Sequence, residues 1–149
     1  MAEARVTRRY RFCAAHLLHT DHLSYEENLS VFGKCNNPNG HGHNYVVLVT
    51  VKCMVPTATG GGVDLDRLDR TVVGQVITRF DHHDLNQDPE FANRTTTGEN
   101  LVFLIWDLLV ECLPAGQLKK VGLIETRDNY FEYAGWMSQA TVLRDGRHD

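Results

Sequence analysis

The hydrophobic positions of the chain follow two periods, one typical of strands and one typical of helices. Four segments alternate or are continuously apolar, which predicts β-strands over residues 6–16, 45–49, 120–126 and 130–134. In the first strand Phe12, Ala14 and His16 share one face, because side chains alternate along a strand. The last two strands are expected to form a hairpin.

Two stripes at helical spacing predict two amphipathic helices between these strands. The first helix follows Asp64 as its cap, and its stripe comprises Leu65, Leu68, Val72, Val76 and Phe80. The second follows the capping-box pair Thr96 and Glu99, and its stripe comprises Leu101, Leu104, Ile105, Leu108 and Cys112. A shorter helix is predicted inside the long loop over residues 17–40, with Ser24 and Glu27 as its capping box and Gly33 as its end.

The order of these elements indicates an α+β fold. A four-stranded antiparallel sheet with two helices on one face would account for residues 1–149 as a single domain, with its core at about residues 8–135. The terminal strands of such a sheet leave open edges, which proteins blunt or pair with another chain. Closure by homo-oligomerisation is therefore expected.

The amino-acid composition limits the kinds of molecule that the protein is expected to bind. Charged residues make up 23% of the 149 residues and the formal net charge is −4, which gives no general reason to expect nucleic-acid binding or a membrane surface. No apolar run approaches membrane-spanning length, and the N-terminus lacks the apolar core of a signal peptide. The scattered cysteines indicate a reducing, cytoplasmic location. We expect Cys13, Cys53 and Cys112 to be small buried apolar residues.

Histidines at the start of the second strand suggest a metal site. His41 and His43 open the strand and point the same way, and antiparallel pairing would bring His16 opposite them. Three histidines that leave one coordination position open are typical of catalytic Zn²⁺. His19 and His22 lie in an irregular polar stretch and are not expected to be ligands, and without a Cys-x-x-Cys pair a closed structural zinc site is not expected.

Further residues could carry proton-transfer chemistry. Cys35 lies beside these histidines in the sequence, next to Lys34, and a nearby cation or metal lowers the pKa of a thiol. Asp81 and His82 could form a carboxylate–imidazole pair, or simply a solvated helix end. Glu125 falls on the apolar face of its strand, where it needs either a salt bridge or two N–H donors of a ligand.

These residues together resemble the 6-pyruvoyl tetrahydropterin synthase family over about residues 8–135. The motifs that carry the resemblance are Phe12-Cys13-Ala14-Ala15-His16, the block over residues 33–44, Asp81-His82 followed by Leu85, Thr97-Gly98-Glu99-Asn100, and Ile124-Glu125-Thr126. The Cys-x5-His-Gly-His spacing is the most specific of them. The resemblance implies the tunnelling fold, β-β-α-α-β-β, whose trimers close into a barrel and stack as hexamers with active sites at subunit interfaces.

The resemblance also implies roles for individual residues. His16, His41 and His43 become the Zn²⁺ ligands and Cys35 the proton acceptor. Asp81 with His82 becomes a relay from a neighbouring subunit, while Glu125, often grouped with that relay, anchors the pterin ring, and Thr97 lines its pocket. The implied substrate is 7,8-dihydroneopterin triphosphate, which yields 6-pyruvoyl tetrahydropterin and triphosphate on the way to tetrahydrobiopterin.

Several points stay open at the level of sequence. His83 is an alternative relay histidine, Gly98 stands where a second threonine is common, and no cluster of lysines and arginines identifies the triphosphate site. A 6-carboxytetrahydropterin synthase acts on the same substrate but has a shorter cysteine-to-histidine spacing. A zinc hydrolase would show His-Glu-x-x-His, which this chain lacks. A non-catalytic zinc- or pterin-binding protein would not need Cys35 or the Asp81–His82 pair.

Overall fold

A computed structural model of the chain describes residues 1–135 as one layer of strands covered by helices. The strands are β1 (Ala2–His16), β2 (His41–Val55), β3 (His83–Asp84), β4 (Leu118–Thr126) and β5 (Asn129–Tyr133). The α-helices are α1 (Tyr25–Phe32), α2 (Leu65–Val72), α3 (Thr78–Phe80) and α4 (Gly98–Val110). The expected α+β class is confirmed.

The sheet has the order β3-β1-β2-β4-β5, with one strand more than the four expected. The added strand β3 is two residues long and runs parallel to β1 at the edge of the sheet. It exists because the backbone after α3 returns to β1, where the His82 amide donates to the Cys13 carbonyl at 2.6 Å. The other neighbouring pairs are antiparallel, as expected.

The pairing of β1 with β2 positions the most important side chains. It runs without a break from Ala2 opposite Val55 to His16 opposite His41. Phe12, Ala14 and His16 are buried, whereas Cys13 between them is exposed. One face of β1 therefore lies against the core, and the alternate face is open in the single chain.

One hydrophobic cluster joins that inner face of the sheet to α2, α3 and α4. The helix predicted over residues 65–80 forms, although its middle, Val73–Ile77, is a π-helical turn. Its stripe is buried as predicted at Leu68, Val72, Val76 and Phe80. The short loop helix α1 also forms, with the expected capping box of Ser24 and Glu27 and with Gly33 at its end.

Some local predictions are wrong. Leu65 is 37% exposed because it lies in the first turn of α2, ahead of the buried stripe. Cys13 and Cys112 are exposed rather than buried, since Cys13 faces away from the core and Cys112 follows the end of α4; Cys53 is buried as expected. Thr97, not Thr96, caps α4, and its side chain accepts a hydrogen bond from the Asn100 amide.

None of the helices in the described part of the chain has both the length and the apolar character needed to cross a bilayer.

Candidate functional site

The three histidines converge where β1 ends and β2 begins. His16 lies opposite His41 in the sheet register, and His43 follows two residues later on the same face. Candidate ligand atoms of the three rings all lie within 4.8 Å of one another, and Nε2 of His16 is 3.0 Å from Nε2 of His41. The sequence-based prediction that these rings meet at one point is confirmed.

A backbone carbonyl orients the first of these rings. Nδ1 of His16 lies 2.8 Å from the carbonyl oxygen of Thr96, so its N–H donates there and Nε2 remains free as a ligand. Thr96 itself is fully buried, and its hydroxyl donates to the Leu17 carbonyl. Sequence reasoning treated Thr96 only as a helix cap and missed this role. Hydrogen bonds of this type commonly fix the ring orientation of metal-ligating histidines.

Burial keeps all three imidazoles neutral. It lowers the pKa of His16 to about 4, although the bond to Thr96 acts in the opposite direction, and the charges of His41 and His43 lower that pKa further. Burial also lowers the pKa of His41, followed by the charge of His43, and it lowers the pKa of His43. The neutral imidazole is the form that binds metal ions.

The remaining ring nitrogens fit a metal ion at this point. Nδ1 of His41 and Nε2 of His43 are buried and have no hydrogen-bond partner within residues 1–135. Buried imidazole nitrogens without hydrogen bonds destabilise the folded chain. The same nitrogens are suitable ligands for a first-row metal ion such as Zn²⁺. The three histidines are therefore a candidate metal site.

Cys35 is half-buried in a 3-10 turn over Gly33–Asn36 that follows α1. Its carbonyl accepts from the Leu18 amide, and Asn36 donates to the Leu18 carbonyl at 2.8 Å, so the turn is tied to the end of β1. Burial, and then the charge of Glu125, raise the pKa of the Cys35 thiol. This direction is opposite to the one expected from Lys34, and the protein alone favours the protonated thiol.

Glu125 is half-buried on β4, and its charge acts on the pKa of both His41 and Cys35. The pairing of β4 with β5 is irregular between Ile124 and Thr126, which marks a bulge at this residue. Burial raises the pKa of Glu125, while the charge of His41 and a hydrogen bond from Asn129 oppose that change. The carboxyl group is thus held in electrostatic reach of both the metal site and Cys35.

Asp81 and His82 lie elsewhere, at the outer edge of β1. The Asp81 carboxylate accepts from the Cys13 amide at 2.9 Å, and this bond, followed by His82, lowers its pKa. His82 has a left-handed φ of 60° and is 80% exposed. With Cys13, Asn44 and His43, His82 lines an open cavity of about 430 Å³. Within residues 1–135 no hydrogen bond links Asp81 or His82 to the rings of the three histidines.

The structure distinguishes the two candidate relay histidines. Nδ1 of His82 lies 3.0 Å from the Asp81 carboxylate, whereas Nδ1 of His83 lies 2.8 Å from the Asp81 backbone carbonyl. Of these two partners, the carboxylate can take up a proton near neutral pH and the backbone carbonyl cannot. His82 is therefore the histidine that forms a carboxylate–imidazole pair.

Thr97 and Gly98 start α4 next to β5. The hydroxyl of Thr97 serves as the helix cap, which leaves its donor hydrogen available. A Cβ at Gly98 would overlap the ring of Phe131. A second threonine here would therefore require the Phe131 ring to move.

The amino-acid sequence is similar to those of proteins whose family is known. The family model for 6-pyruvoyl tetrahydropterin synthase matches residues 5–135. The chain is 46% identical over 134 residues to the human 6-pyruvoyl tetrahydrobiopterin synthase, covering 89% of this chain and 92% of the human one. It is 42% identical over 134 residues to the Drosophila melanogaster protein of the same name, covering 89% and 80%.

Solved structures agree with these sequence matches. The 6-pyruvoyl tetrahydropterin synthase of Caenorhabditis elegans superposes with a TM-score of 0.84 at 37% identity, covering 91% of this chain and 97% of that one. The Plasmodium vivax 6-pyruvoyltetrahydropterin synthase superposes with a TM-score of 0.64 at 14% identity, covering 89% and 98%, which shows a shared fold. The chain belongs to the 6-pyruvoyl tetrahydropterin synthase family.

Proposed function

We propose that this chain converts 7,8-dihydroneopterin triphosphate into 6-pyruvoyl tetrahydropterin and inorganic triphosphate. The observation that carries the proposal is the convergence of three neutral histidines beside a half-buried cysteine and a half-buried glutamate in a member of this family. The human and Drosophila relatives carry the name of that activity over most of their length.

The resident metal is proposed to be Zn²⁺, held by His16, His41 and His43. Three imidazoles with a fourth position open to substrate are the donor set of catalytic zinc. When bound, Zn²⁺ supplies positive charge that acidifies an oxygen ligand and lowers the pKa of a nearby thiol. That charge would oppose the burial and the Glu125 charge that raise the pKa of Cys35 in the protein alone.

Glu125 and Thr97 are proposed to hold the pterin ring. An ionised carboxylate can accept two parallel N–H bonds, and an amino-pyrimidinone edge offers two adjacent donors. Burial raises the pKa of Glu125, so N–H donors of a ligand would stabilise its ionised form and lower that pKa again. Thr97, at the start of α4, would line the same pocket.

Cys35 is proposed as the base that moves protons along the substrate side chain. Asp81 and His82 would assist from a neighbouring subunit, since they lie at the outer edge of β1 of their own chain. This arrangement places each active site at an interface of a homo-oligomer, proposed to be a hexamer of two stacked trimers. We further propose a cytoplasmic location, consistent with four cysteines that are all free thiols.

A second candidate is 6-carboxytetrahydropterin synthase activity on the same substrate. The same metal and pterin contacts would serve it, but the six-residue step from Cys35 to His41 and the long loop before it favour the pyruvoyl product. A non-catalytic pterin-binding role is less consistent with a cysteine held beside the metal site.

The test is incubation of the zinc-loaded protein with 7,8-dihydroneopterin triphosphate, following triphosphate release and identifying the pterin product. We expect 6-pyruvoyl tetrahydropterin, with loss of turnover after treatment with a chelator and recovery on adding Zn²⁺. Release of acetaldehyde would assign the carboxy-forming activity instead. Binding of the pterin without any triphosphate release would indicate the non-catalytic role.

A further inference from the structure

The hydroxyl group of Tyr45 is a buried polar atom that packing does not explain. The Tyr45 side chain is 0% exposed, and its oxygen has no hydrogen-bond partner within residues 1–135. A buried hydroxyl without a partner destabilises the folded chain, because it loses its hydrogen bonds to water. A phenylalanine would fill the same volume without that penalty.

Tyr45 is the third inward-facing residue of β2, directly after His41 and His43. Its ring lies edge-on to the rings of His43 and His16, with centroids 5.6 Å and 6.3 Å away. On its other side it stacks on Phe12 at 4.9 Å. The Tyr45 ring therefore packs between two of the three histidines and the Phe12 ring of the core.

The register of the sheet identifies the neighbour of Tyr45 on the other side. Val46 pairs with Ile124 at the end of the ladder between β2 and β4, and Tyr45 and Glu125 are the next residues of the two strands beyond that pair. After burial, the charges of Glu125 and Cys35 are what raise the pKa of Tyr45, so the hydroxyl lies within electrostatic reach of both groups.

We propose that Tyr45 is a positioning residue for Glu125: its O–H donates a hydrogen bond to the Glu125 carboxylate when that carboxylate binds the N–H edge of a pterin. The inference rests on the proposed function, because it assigns a task to the carboxylate that holds the ring. An ionised carboxylate has about four acceptor sites, so a bond from Tyr45 does not compete with two N–H bonds from the ring. Glu125, rather than Cys35, is the acceptor because it lies on the strand next to that of Tyr45, one step beyond the Val46–Ile124 pair, whereas Cys35 lies in a turn outside the sheet.

A double-mutant cycle on the zinc-loaded protein tests this role. We expect Tyr45→Phe to lower kcat/KM about 10- to 100-fold, the range for losing a hydrogen bond to a charged group. In a Glu125→Gln background the same change should lower kcat/KM by a clearly smaller factor, about two- to fivefold, because the neutral amide oxygen that replaces the carboxylate accepts a weaker hydrogen bond. Zinc content should be unchanged, and the unfolding temperature should be equal or higher, because a buried hydroxyl is removed.

Tyr10→Phe is the matched control. The Tyr10 hydroxyl donates to Asp69 at 2.6 Å, away from the histidines, so its loss should lower stability and leave kcat/KM unchanged in both backgrounds. Equal effects of Tyr45→Phe with and without Glu125→Gln would overturn the proposal, as would coupling to Cys35→Ala instead. An unchanged kcat/KM of Tyr45→Phe would also overturn it.

A binding measurement separates this proposal from the proposed function. Dihydroneopterin without its triphosphate is titrated into each zinc-loaded variant and followed by pterin fluorescence. A loss of binding in Tyr45→Phe that becomes clearly smaller in the Glu125→Gln background would support the positioning role even if triphosphate turnover were absent. If the wild-type protein shows turnover, and Tyr45→Phe binds dihydroneopterin as tightly as Tyr10→Phe does, the positioning role is contradicted and the proposed function is not.

Discussion

Two groups of candidate site residues differ sharply in their surroundings. The inner site, made of His16, His41, His43, Cys35 and Glu125, lies on the core side of the sheet, where burial is the first cause of every pKa shift. The outer pair, Asp81 and His82, lies at the edge of β1 in a shallow, open region, with His82 80% exposed. Within residues 1–135 the buried centre and the more exposed carboxylate–imidazole pair share no hydrogen bond, although His43 and His82 line the same open cavity.

The difference indicates which functions one chain can perform alone. Neutral histidines and a carboxyl group with a raised pKa are produced by burial, which the single chain supplies. An exposed imidazole is surrounded by water, and it acts as a proton relay only when another surface approaches it. We therefore expect metal and pterin binding to depend on the inner site, and turnover to depend also on contact between chains.

The largest effect is expected from His41→Ala. Removing one of three metal ligands should lower zinc affinity by more than about 100-fold, since even outer hydrogen-bond partners of such ligands are worth 10- to 100-fold. Elemental analysis after dialysis would show little bound zinc, and turnover would be lost. His22→Ala, at an exposed loop position, should keep its zinc. Full zinc occupancy in His41→Ala would contradict the ligand assignment.

Cys35→Ala separates chemistry from metal binding within the inner site. Loss of a well-placed base should reduce turnover about 10²- to 10⁴-fold, while zinc content stays at the wild-type level. The matched control is Cys112→Ala, which removes an exposed thiol after α4. A Cys35→Ala variant with wild-type turnover would remove the cysteine from the mechanism.

Mixing two inactive variants tests whether the outer pair serves another chain. If one chain supplies Cys35 to a site and its neighbour supplies His82, each variant, Cys35→Ala or His82→Ala, lacks a different one of the two groups. Some sites in a mixed oligomer then contain both groups intact. After joint unfolding and reassembly in equal amounts, about a quarter of the sites should regain activity if sites form between neighbours. No recovery at all would mean that Cys35 and His82 act within one chain or not together.

We expect an added methyl group to destabilise the protein more at the closely packed Gly98 than at a position where the new group meets no neighbouring atom. Gly98→Ala should destabilise the protein by about 1–3 kcal/mol, because the new methyl group would overlap Phe131. Gly74→Ala, where a Cβ meets nothing within 4 Å, should instead stabilise by up to about 1 kcal/mol. Urea unfolding of both variants measures the contrast, and equal changes of the same sign would refute it.

The smallest effect is the pH dependence of the metal-free protein. The folded-state pKa of His16, about 4, lies below the value of about 6.5 in an unfolded chain, so the unfolded state binds more protons as the pH falls. Stability should therefore decrease as the pH falls below about 6.5, with His16 contributing about 0.7 kcal/mol between pH 7 and pH 6. Chelator-treated wild type and His16→Gln, compared by urea unfolding, give the test: the variant should show the smaller pH dependence.

Local patterns predicted most of the fold. The alternation of Phe12, Ala14 and His16, the capping box of Ser24 and Glu27, and the stripe of the first long helix after Leu65 form as expected. These features depend on neighbours within a few residues. Some errors are local, as at Leu65 in the first turn of α2, but others occur where contacts distant in sequence decide the outcome: the Thr96 carbonyl accepts from His16, and the edge strand β3 forms on β1.

The candidate site divides in the same way. The convergence of His41 and His43 follows from the two-residue period of a strand, and only the register with β1 was needed to add His16. The raised pKa of Cys35 could not be predicted, because it depends first on the burial of the thiol and then on the charge of Glu125, 90 positions further along the chain. The misfit of a second threonine at position 98 depends likewise on Phe131 from β5.

The amino-acid sequence by itself determined the kinds of ligand, their spacing and the faces they share, since these follow from the short periods of strands and helices. Tertiary structure alone decided how deeply each group is buried and which distant group lies beside it. Those two quantities set the neutral state of the histidines, the raised pKa values of Cys35 and Glu125, and the position of the Asp81–His82 pair at the outer edge of β1. Burial and long-range contacts are properties of the whole packed chain, so no local pattern contains them.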